Sequence, residues 1–330
     1  MNIAILGAGA WGTALAISLA PRHEVTLWVR NAEQYTDMQA CRCNQRYLPE
    51  LPFPAALRLE HDFDAALAAA ELLIVAVPVS ALREIIQHVA VRAVPVIWLC
   101  KGFESSTSQL PHQIVNELLP RRVPRAVLSG PSFAQEVARG LPTALTLASD
   151  DIAFAQGIAH ALHHTRLRIY SSADVVGVEV GGAIKNVLAI AAGISDGLQL
   201  GYNARAALLT RGLAEMSRLG LRLGGKAETL GGLSGVGDLI LTCTGDLSRN
   251  RQVGMLLAQQ RALPNILEQL GHVAEGVYTA REVHRIAQQL DVDMPICSAV
   301  YRVLYEGLAA DKATEALLSR TPSSEFSPPA

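Results

Sequence analysis

Short apolar runs and helical patterns alternate through the first half of the chain. The strand candidates are runs of four to seven mainly apolar residues bounded by turn residues. They lie at 3–6, 24–29, 72–77, 94–100, 125–129, 143–148 and 166–170. Helical patterns fill 32–46 and 152–163 between them. Strands that alternate with helices through short links predict an α/β domain with a doubly wound, mainly parallel sheet.

The pattern changes near residue 175, where strand signals become scarce. The segments that follow carry apolar residues at helical spacing, at 178–197, 204–220, 248–261, 277–289 and 296–308. We therefore expect an N-terminal domain at 1–174 and an all-α C-terminal domain at 175–320. Residues 321–330 contain three prolines and three serines and are predicted to be a disordered tail.

A glycine-rich turn follows the first predicted strand. Gly7, Gly9 and Gly12 have the spacing G-x-G-x-x-G, and a helical pattern of small residues runs on to about Ala20. Gly7 allows a tight turn, Gly9 lets the backbone approach a pyrophosphate, and Gly12 lets the helix pack close to the strand. The helix N-terminus offers N–H groups to phosphates. The motif predicts a dinucleotide site of the Rossmann type. A tight turn in another doubly wound protein is the alternative.

The end of the second predicted strand bears on which dinucleotide binds. NAD-specific units carry Asp or Glu at this place, where the carboxylate binds the ribose 2′-OH. This chain has Arg30 and Asn31 instead. Because an arginine accommodates a 2′-phosphate, Arg30 indicates that NADP is accepted. The alternative is an ordinary surface arginine.

Four residues stand just past the ends of predicted strands: Gly7, Pro78, Lys101 and Gly130. Ligands of doubly wound sheets bind beyond the carboxyl ends of the strands. We therefore expect these residues to line one shared cleft.

Composition excludes several classes of partner. Half of the 330 residues are hydrophobic, 18% are charged and the formal net charge is −2, so neither nucleic acid nor an anionic membrane is an expected partner. The chain starts directly with a strand pattern and shows no signal peptide. The longest strongly apolar run, 187–194, is too short to span a bilayer. We therefore expect a cytoplasmic protein.

Neither the cysteines nor the histidines indicate a metal site. Of the five cysteines only Cys41 and Cys43 are close in sequence, and C-x-C lacks the two-residue spacing of zinc and redox motifs. Free buried thiols in a reducing compartment are expected. His163 and His164 are adjacent, and no acid or cysteine stands at ligand spacing from them.

Lys185 is the most informative single residue. Only four of the 28 basic residues are lysines, and Lys185 is the only charged residue between Glu179 and Asp196. Helical spacing surrounds it with small and apolar residues such as Gly182 and Leu188. Burial lowers the pKa of a lysine and favours proton exchange near neutral pH. We expect Lys185 to act on a proton; a lysine that snorkels to solvent is the alternative.

Other segments suit the binding of anions. Lys101 follows a buried strand, and the loop with Gly130 and Ser132 offers N–H groups and a hydroxyl. Residues 248–251, Ser-Arg-Asn-Arg, open a helical run, and a serine cap with two arginines makes a phosphate-binding helix end. The alternatives are a solvated lysine, a serine that only caps a helix, and solvated surface arginines.

Six segments together resemble one family. They are GAGAWGTALA at 7–16, CKGFE at 100–104, SGPSFAQEVA at 129–138, GAIKNVLAIAAGISDGL at 182–198, GVGDLILTCTGDLSRNR at 235–251 and VAEGV at 273–277. In this order, and over nearly the whole chain to about residue 310, they resemble the bacterial NAD(P)-dependent sn-glycerol-3-phosphate dehydrogenases. That family interconverts dihydroxyacetone phosphate and glycerol 3-phosphate with NADPH or NADH in the cytoplasm and supplies phospholipid synthesis.

The resemblance implies roles for individual residues. Cofactor contacts fall on the three glycines and on Ala10, Trp11, Arg30, Asn31, Lys101, Ala134, Arg249, Val273 and Glu275. Substrate contacts fall on Lys101, Gly130, Ser132, Lys185, Asp238, Ser248, Arg249 and Asn250. Lys185 is the implied proton donor or acceptor, Lys101 adds positive charge, and Asp238 orients Lys185 or a substrate hydroxyl. Ala10 departs from the family, which often has serine there; one side-chain contact is lost while the backbone N–H remains.

Two other functions stay open on the sequence alone. A dehydrogenase acting on 6-phosphogluconate or a 3-hydroxyacyl thioester shares the domain plan but does not need the phosphate-binding end at 248–251. A non-catalytic NADP-sensing module needs the glycines but has no use for Lys185. The preference between NADP and NAD, the regulation and the formation of a homodimer are not fixed by the sequence.

Overall fold

An eight-stranded sheet organises the N-terminal half of the chain in the computed structural model, which describes residues 1–271 and 274–321. In chain order the strands are β1 Asn2–Leu6, β2 Glu24–Trp28, β3 Cys43–Asn44, β4 Leu48–Pro52, β5 Arg58–Glu60, β6 Leu72–Val75, β7 Val96–Trp98, β8 Arg125–Ser129, β9 Thr143–Ala148 and β10 Leu167–Ser172. β3 and β4 form a separate antiparallel hairpin. The predicted doubly wound sheet is confirmed.

The strand order of the sheet is β10-β9-β8-β7-β6-β1-β2-β5. Every neighbouring pair is parallel except β8 and β9, which are antiparallel. From β1 the chain first builds outward through β2 and β5, then returns to the other side of β1 with β6. The order therefore reverses between β1 and β6, and such a switch point is where doubly wound sheets bind their ligands.

Seven helices accompany these strands: α1 Ala10–Leu19, α2 Ala32–Cys41, α3 Phe63–Leu67, α4 Val79–Val89, α5 Pro111–Leu118, α6 Ala134–Ala138 and α7 Ile152–Leu162. Because helices cover both faces of such a sheet, its central strands are apolar throughout rather than alternating. All four residues of β6 are at most 1% exposed. This burial explains why the strands read as continuous apolar runs.

The second half of the chain is helical. Its helices are α8 Val175–Gly197, α9 Gly201–Arg222, α10 Ala227–Leu230, α11 Asp238–Thr244, α12 Arg249–Ala258, α13 Leu263–Leu270, α14 Glu275–Gln289, α15 Pro295–Tyr305 and α16 Ala310–Leu318. From residue 176 onward the described part of the chain contains no strand, as predicted. Apart from Thr321, the tail predicted at 321–330 lies outside the described residues.

The chain divides into two compact units. Unit 1 comprises Met1–Lys101 and Gln109–Val175, and unit 2 comprises Gly102–Ser108 and the chain from Val176 onward. The sheet belongs to unit 1. The segment Gly102–Ser108, which follows β7 in sequence, is thus part of the helical unit.

The predicted helix at 32–46 is wrong in its last five residues. Helix α2 ends at Cys41, and Arg42 adopts the left-handed conformation with φ 50° and ψ 37°. A left-handed residue terminates a helix, and here it sends the chain into the β3–β4 hairpin. The expectation that the cysteines are all buried is also wrong, because Cys41 at this turn is exposed.

Helix α8 is longer and more apolar than the run at 187–194 suggested. Its 23 residues include an 18-residue window with a mean hydropathy of 1.6, so by length and composition it could cross a membrane. The inference that no apolar segment is long enough is therefore wrong. However, 94% of that window is buried inside the protein, as in the core helix of a folded domain.

A carboxylate from α9 caps helix α15. Glu215 is 1% exposed, and its two carboxylate oxygens accept hydrogen bonds from the N–H groups of Ile296 (2.6 Å) and Cys297 (3.0 Å). Met294, at the N-cap of α15, makes no side-chain cap. Glu215 therefore satisfies two N–H groups that the helix leaves unpaired. Burial raises the pKa of Glu215 to about 7, although the two N–H donors oppose this shift.

We expect the protein to lose stability through Glu215 as the pH rises. The folded pKa of about 7 exceeds the ordinary value of 4.5, so the folded state keeps a proton that the unfolded state loses between these values. The loss over this window is on the order of 3 kcal/mol. Urea unfolding at pH 5 and pH 8 should show a smaller decline for Glu215→Gln than for the parent protein. Equal declines would contradict the prediction.

Candidate functional site

The glycine turn after β1 packs tightly against the chain that follows β6. Gly7 has φ 122°, and a Cβ there would lie 2.6 Å from the carbonyl oxygen of Ala76. A Cβ on Gly12 would lie 2.0 Å from the carbonyl oxygen of Gly7 and 2.9 Å from Cβ of Ala76. Both positions therefore exclude any side chain. The turn thus sits at the switch point of the sheet.

Gly9 differs from its two neighbours in the motif. Its φ is −76°, and a Cβ built there would meet no protein atom within 4 Å. The packing of the protein therefore gives no reason for a glycine, whereas a ligand that approaches the backbone does. Gly9 is also the N-cap of α1, and no side chain caps this helix. The open space and the uncapped helix end fit the pyrophosphate of a dinucleotide.

The neighbouring predicted cofactor residues line the start of α1 and α2. Ala10 and Trp11 occupy the first turn of α1, and the half-buried Trp11 packs against the core of the sheet. Arg30 is exposed and makes no hydrogen bond or ion pair within the described chain. Asn31 is the N-cap of α2, and its Oδ1 accepts a hydrogen bond from the N–H of Gln34 at 2.7 Å. The sequence prediction missed this cap.

A second group of predicted residues lies at the carboxyl ends of β7 and β8. Lys101 is half-buried, and its Nζ lies 3.5 Å from the carbonyl oxygen of Gly130. The hydroxyl of Ser132 donates to the same oxygen at 3.0 Å. Gly130 has φ 138°, which turns the chain away from the strand. Ala134 begins the short helix α6 and packs against the core of the sheet.

The sheet places four predicted residues at the same ends of neighbouring strands, while the shared cleft stays a prediction. β8, β7, β6 and β1 are consecutive in the sheet and parallel to one another. The residues that follow the carboxyl ends of these strands therefore lie at the same end of the sheet. They are Gly7, Pro78, Lys101 and Gly130. Their roles toward a ligand stay predictions.

Lys185 is buried in a polar contact within unit 2. The residue is 8% exposed, and its Nζ lies 2.5 Å from Oδ1 of Asp238 and 2.9 Å from Oγ1 of Thr242. Asp238 is 1% exposed. The carboxylate stabilises the ammonium form and thereby opposes the cost of removing it from water. The structure thus excludes a lysine that snorkels to solvent.

The environment of Lys185 corrects the sequence analysis in one respect. Small and apolar neighbours were expected from its own helix, but α11 supplies a carboxylate and a hydroxyl. Asp238 and Thr242 are one helical turn apart, and the Thr242 hydroxyl also donates to the Asp238 backbone carbonyl at 2.6 Å. Thr242 was missed. Its spacing of four from Asp238 is the signal that was available.

Asn186 and Asn250 form a second buried network. Asn250 Nδ2 donates to Asn186 Oδ1 at 3.0 Å, and Asn250 Oδ1 accepts from the N–H of Gly276 at 3.0 Å. Asn186 Nδ2 lies 3.5 Å from a carboxylate oxygen of Glu275. The side chain of Asn250, predicted to touch substrate, is thus engaged inside the protein on both its donor and acceptor sides. Val273, a predicted cofactor contact, lies outside the described residues.

The two arginines of the predicted phosphate-binding end have different environments. Ser248 is the N-cap of α12, and its Oγ accepts from the N–H of Arg251 at 3.3 Å. Arg251 is buried and pairs with Asp196 at 2.7 Å and Asp246 at 2.9 Å. Arg249 is exposed and has no hydrogen-bond or ion-pair partner in the described chain. Only Arg249 is therefore available for a phosphate, while Arg251 holds α12 to α8.

No metal centre is evident in residues 1–271 and 274–321, where no three His, Cys, Asp or Glu side chains are grouped to hold an ion. Two candidate elements remain. Unit 1 has the glycine turn with the open Gly9, and unit 2 has the buried Lys185 with its carboxylate partner and, separately, the exposed Arg249 at the start of α12.

Comparison with known proteins places both units in one family. Residues 2–155 match the family model described as NAD-dependent glycerol-3-phosphate dehydrogenase N-terminus, and residues 174–315 match the one described as its C-terminus. The chain is 61% identical to glycerol-3-phosphate dehydrogenase (NAD(P)+) of Thiobacillus denitrificans, with 99% of this chain and 100% of the relative covered.

A solved structure shows the same similarity. The crystal structure of glycerol-3-phosphate dehydrogenase from Coxiella burnetii is 45% identical and superposes with a TM-score of 0.93, over 97% of this chain and 99% of the other. The corresponding enzyme of Nitrosomonas eutropha is 58% identical in sequence over 98% of this chain and 99% of its own length. The chain therefore belongs to the NAD-dependent glycerol-3-phosphate dehydrogenase family, as its sequence motifs predicted.

Proposed function

We propose that this protein is an NAD(P)-dependent glycerol-3-phosphate dehydrogenase, which reversibly reduces dihydroxyacetone phosphate to sn-glycerol 3-phosphate. The observation that carries the chemistry is the buried Lys185, held by Asp238 and Thr242. The names of the similar proteins from Thiobacillus denitrificans and Nitrosomonas eutropha support the substrate and the cofactor class.

Lys185 handles the proton of the reaction. When bound, NADPH or NADH supplies the hydride for the carbonyl carbon of the substrate. The Lys185 ammonium stabilises the negative charge that develops on the C2 oxygen and donates a proton to it. In the reverse direction the amine takes the proton back. Asp238 and Thr242 position Nζ, since both hold it from one helix.

Other residues bind the phosphate of the substrate and the dinucleotide. Arg249 binds the substrate phosphate, with Ser248 and Asn250 at the same helix start, so that binding energy far from the reacting carbon positions the carbonyl. Lys101, Gly130 and Ser132 are further proposed substrate contacts. The open Gly9, Ala10, Trp11 and Arg30 are the residues that would hold the dinucleotide, and Asn31, Ala134, Val273 and Glu275 are further proposed contacts.

The test of the proposed function is oxidation of NADPH and NADH, measured in parallel with dihydroxyacetone phosphate and with unphosphorylated dihydroxyacetone. We expect turnover with the phosphorylated ketone and little with the other. Equal rates would favour a dehydrogenase of a different substrate class. No oxidation with any ketone would favour a non-catalytic module that only binds NADP.

Replacing Arg249 with alanine should weaken substrate binding. An arginine that donates to a phosphate is worth about 1.5 to 3 kcal/mol, so kcat/KM for dihydroxyacetone phosphate should fall roughly 10- to 100-fold. The exposed Arg261, which follows the C-terminal end of α12, offers a matched control, because Arg261→Ala removes the same charge away from the helix start. A fall in NADPH affinity instead of an increased KM for the ketone would assign Arg249 to the cofactor.

Replacing Arg30 with alanine should change the cofactor preference. Loss of the contact with the 2′-phosphate should reduce kcat/KM for NADPH about tenfold, whereas NADH lacks this phosphate and should be affected little. The exposed Arg22, at the other end of β2, serves as the control. Equal losses with both cofactors would show that Arg30 does not read the 2′-phosphate.

The setting of the reaction is also a proposal. We infer a cytoplasmic enzyme whose product enters glycerophospholipid synthesis. The five cysteines are free thiols in the structure, which is typical of a reducing compartment. A homodimer stays a prediction that a mass measurement in solution would test.

A further inference from the structure

Two thiols meet at the turn between α2 and β3. The Cys43 thiol donates a hydrogen bond to Sγ of Cys41, with the sulfur atoms 3.1 Å apart. Cys41 is exposed, whereas Cys43 is 7% exposed. Since the sulfur atoms of a disulfide are about 2.05 Å apart, they need to approach by only about 1 Å to bond.

The turn that brings the thiols together is held in place by Arg42. This residue lies between the two cysteines and has the left-handed conformation, with φ 50° and ψ 37°. Its guanidinium donates to the carbonyl oxygens of Pro54 (2.8 Å) and Leu57 (3.0 Å). Its own carbonyl accepts from the N–H of Phe53 at 2.7 Å. The approach of the thiols is therefore built into the fold.

The next residue connects this turn to the dinucleotide turn. Asn44 is fully buried, and its Nδ2 donates to the carbonyl oxygen of Ala8 (3.0 Å) and to Oγ1 of Thr13 (2.8 Å). Ala8 lies between Gly7 and Gly9. Gln34 of α2 donates to the same Ala8 oxygen at 3.0 Å. A movement of Cys43 therefore acts directly on a residue that holds the backbone of the glycine turn.

We propose that Cys41 and Cys43 form a reversible disulfide when the protein meets a peroxide, and that this bond weakens dinucleotide binding through Asn44. The disulfide itself is independent of the catalytic proposal; its effect on the dinucleotide rests on the assignment of the glycine turn.

The chemistry requires two steps. The Cys41 thiolate attacks hydrogen peroxide and becomes a sulfenic acid, with release of hydroxide. The Cys43 sulfur then attacks the sulfenic sulfur, the disulfide forms, and water leaves. Two thiols are oxidised and one peroxide is reduced to two waters.

The exposure of Cys41 and the raised pKa of Cys43 determine which thiol reacts with peroxide first. The hydrogen bond to Cys41 and burial raise the pKa of the Cys43 thiol. Cys41 is also the thiol that solvent reaches. Cys41 is therefore the first to react, and Cys43 resolves the intermediate.

The sequence offers a direct readout of the bond. Trypsin cuts after Arg30, Arg42 and Arg46, so it separates Cys41 from Cys43. After peroxide treatment, a non-reducing digest should contain peptides 31–42 and 43–46 joined by a disulfide, or the uncut peptide 31–46 that has lost two hydrogens. Dithiothreitol should abolish both species.

Affinity for NADPH, measured by its fluorescence without substrate, gives the second readout. We expect oxidation to weaken binding at least about fivefold and dithiothreitol to restore it. Cys41→Ser and Cys43→Ser should bind NADPH when untreated and show no such loss after peroxide. Absence of the linked peptides, or a complete disulfide with unchanged affinity, would overturn the proposal. Because neither readout needs turnover, failure of the proposed dehydrogenase activity would be seen separately.

Discussion

Replacing Lys185 with methionine is expected to reduce kcat by about 10²- to 10⁴-fold, the usual contribution of a positioned general acid. Methionine keeps most of the side-chain volume but has no proton to give. The glycine turn and Arg30 lie in unit 1, and Lys185 is not a proposed dinucleotide contact, so NADPH affinity should change less than about twofold. The measurement is steady-state turnover of dihydroxyacetone phosphate together with NADPH binding.

A second variant is needed because Lys185→Met can destabilise the protein. Methionine leaves the Asp238 carboxylate buried without its partner, which costs on the order of 3 to 5 kcal/mol. Lys185→Arg keeps the positive charge but does not deprotonate near neutral pH, so it should also turn over poorly. Near-normal kcat in either folded variant would remove Lys185 from the reaction.

Gly9→Ala and Gly12→Ala should have opposite effects on folding and binding. At Gly9 an alanine meets no protein atom, and φ of −76° suits it, so stability should change by less than about 1 kcal/mol. The added methyl group occupies the space assigned to the pyrophosphate. NADPH affinity should therefore fall at least about tenfold, measured by titration of its fluorescence.

Gly12→Ala should instead destabilise the fold. The new methyl group would lie 2.0 Å from the carbonyl oxygen of Gly7, and backbone must move to accommodate it. The expected cost is about 3 kcal/mol, measured by urea unfolding without cofactor. An unchanged NADPH affinity in Gly9→Ala would show that the open space is not a ligand site, and an unchanged stability in Gly12→Ala would contradict the close packing.

The sequence predicts those features whose cause is local. The tight turn, the strand before it and the helix after it lie within a few residues, so the spacing of the glycines is sufficient to place them. Lys185 could also be identified from its own segment, because it is the only charged residue in the apolar helical pattern between Glu179 and Asp196.

Features that depend on distant partners could not be read in this way. Asp238 comes 53 residues after Lys185, and Glu215 comes 81 residues before the helix start that it caps. Arg249 and Arg251 share one motif, yet Asp196 neutralises only the second. Which arginine is paired depends on how helices pack, and a one-dimensional pattern does not contain that information.

The distribution of the candidate residues over two units has a consequence for engineering. Asp238 and Thr242, which hold Lys185, belong to the helical unit, while Arg30 and the glycine turn belong to the unit that contains the sheet. Under the proposed assignments of Arg30 and Lys185, cofactor choice and proton transfer are encoded by separate blocks of sequence. Exchanging the block around Arg30 should alter which reductant the enzyme accepts and leave its acid chemistry intact.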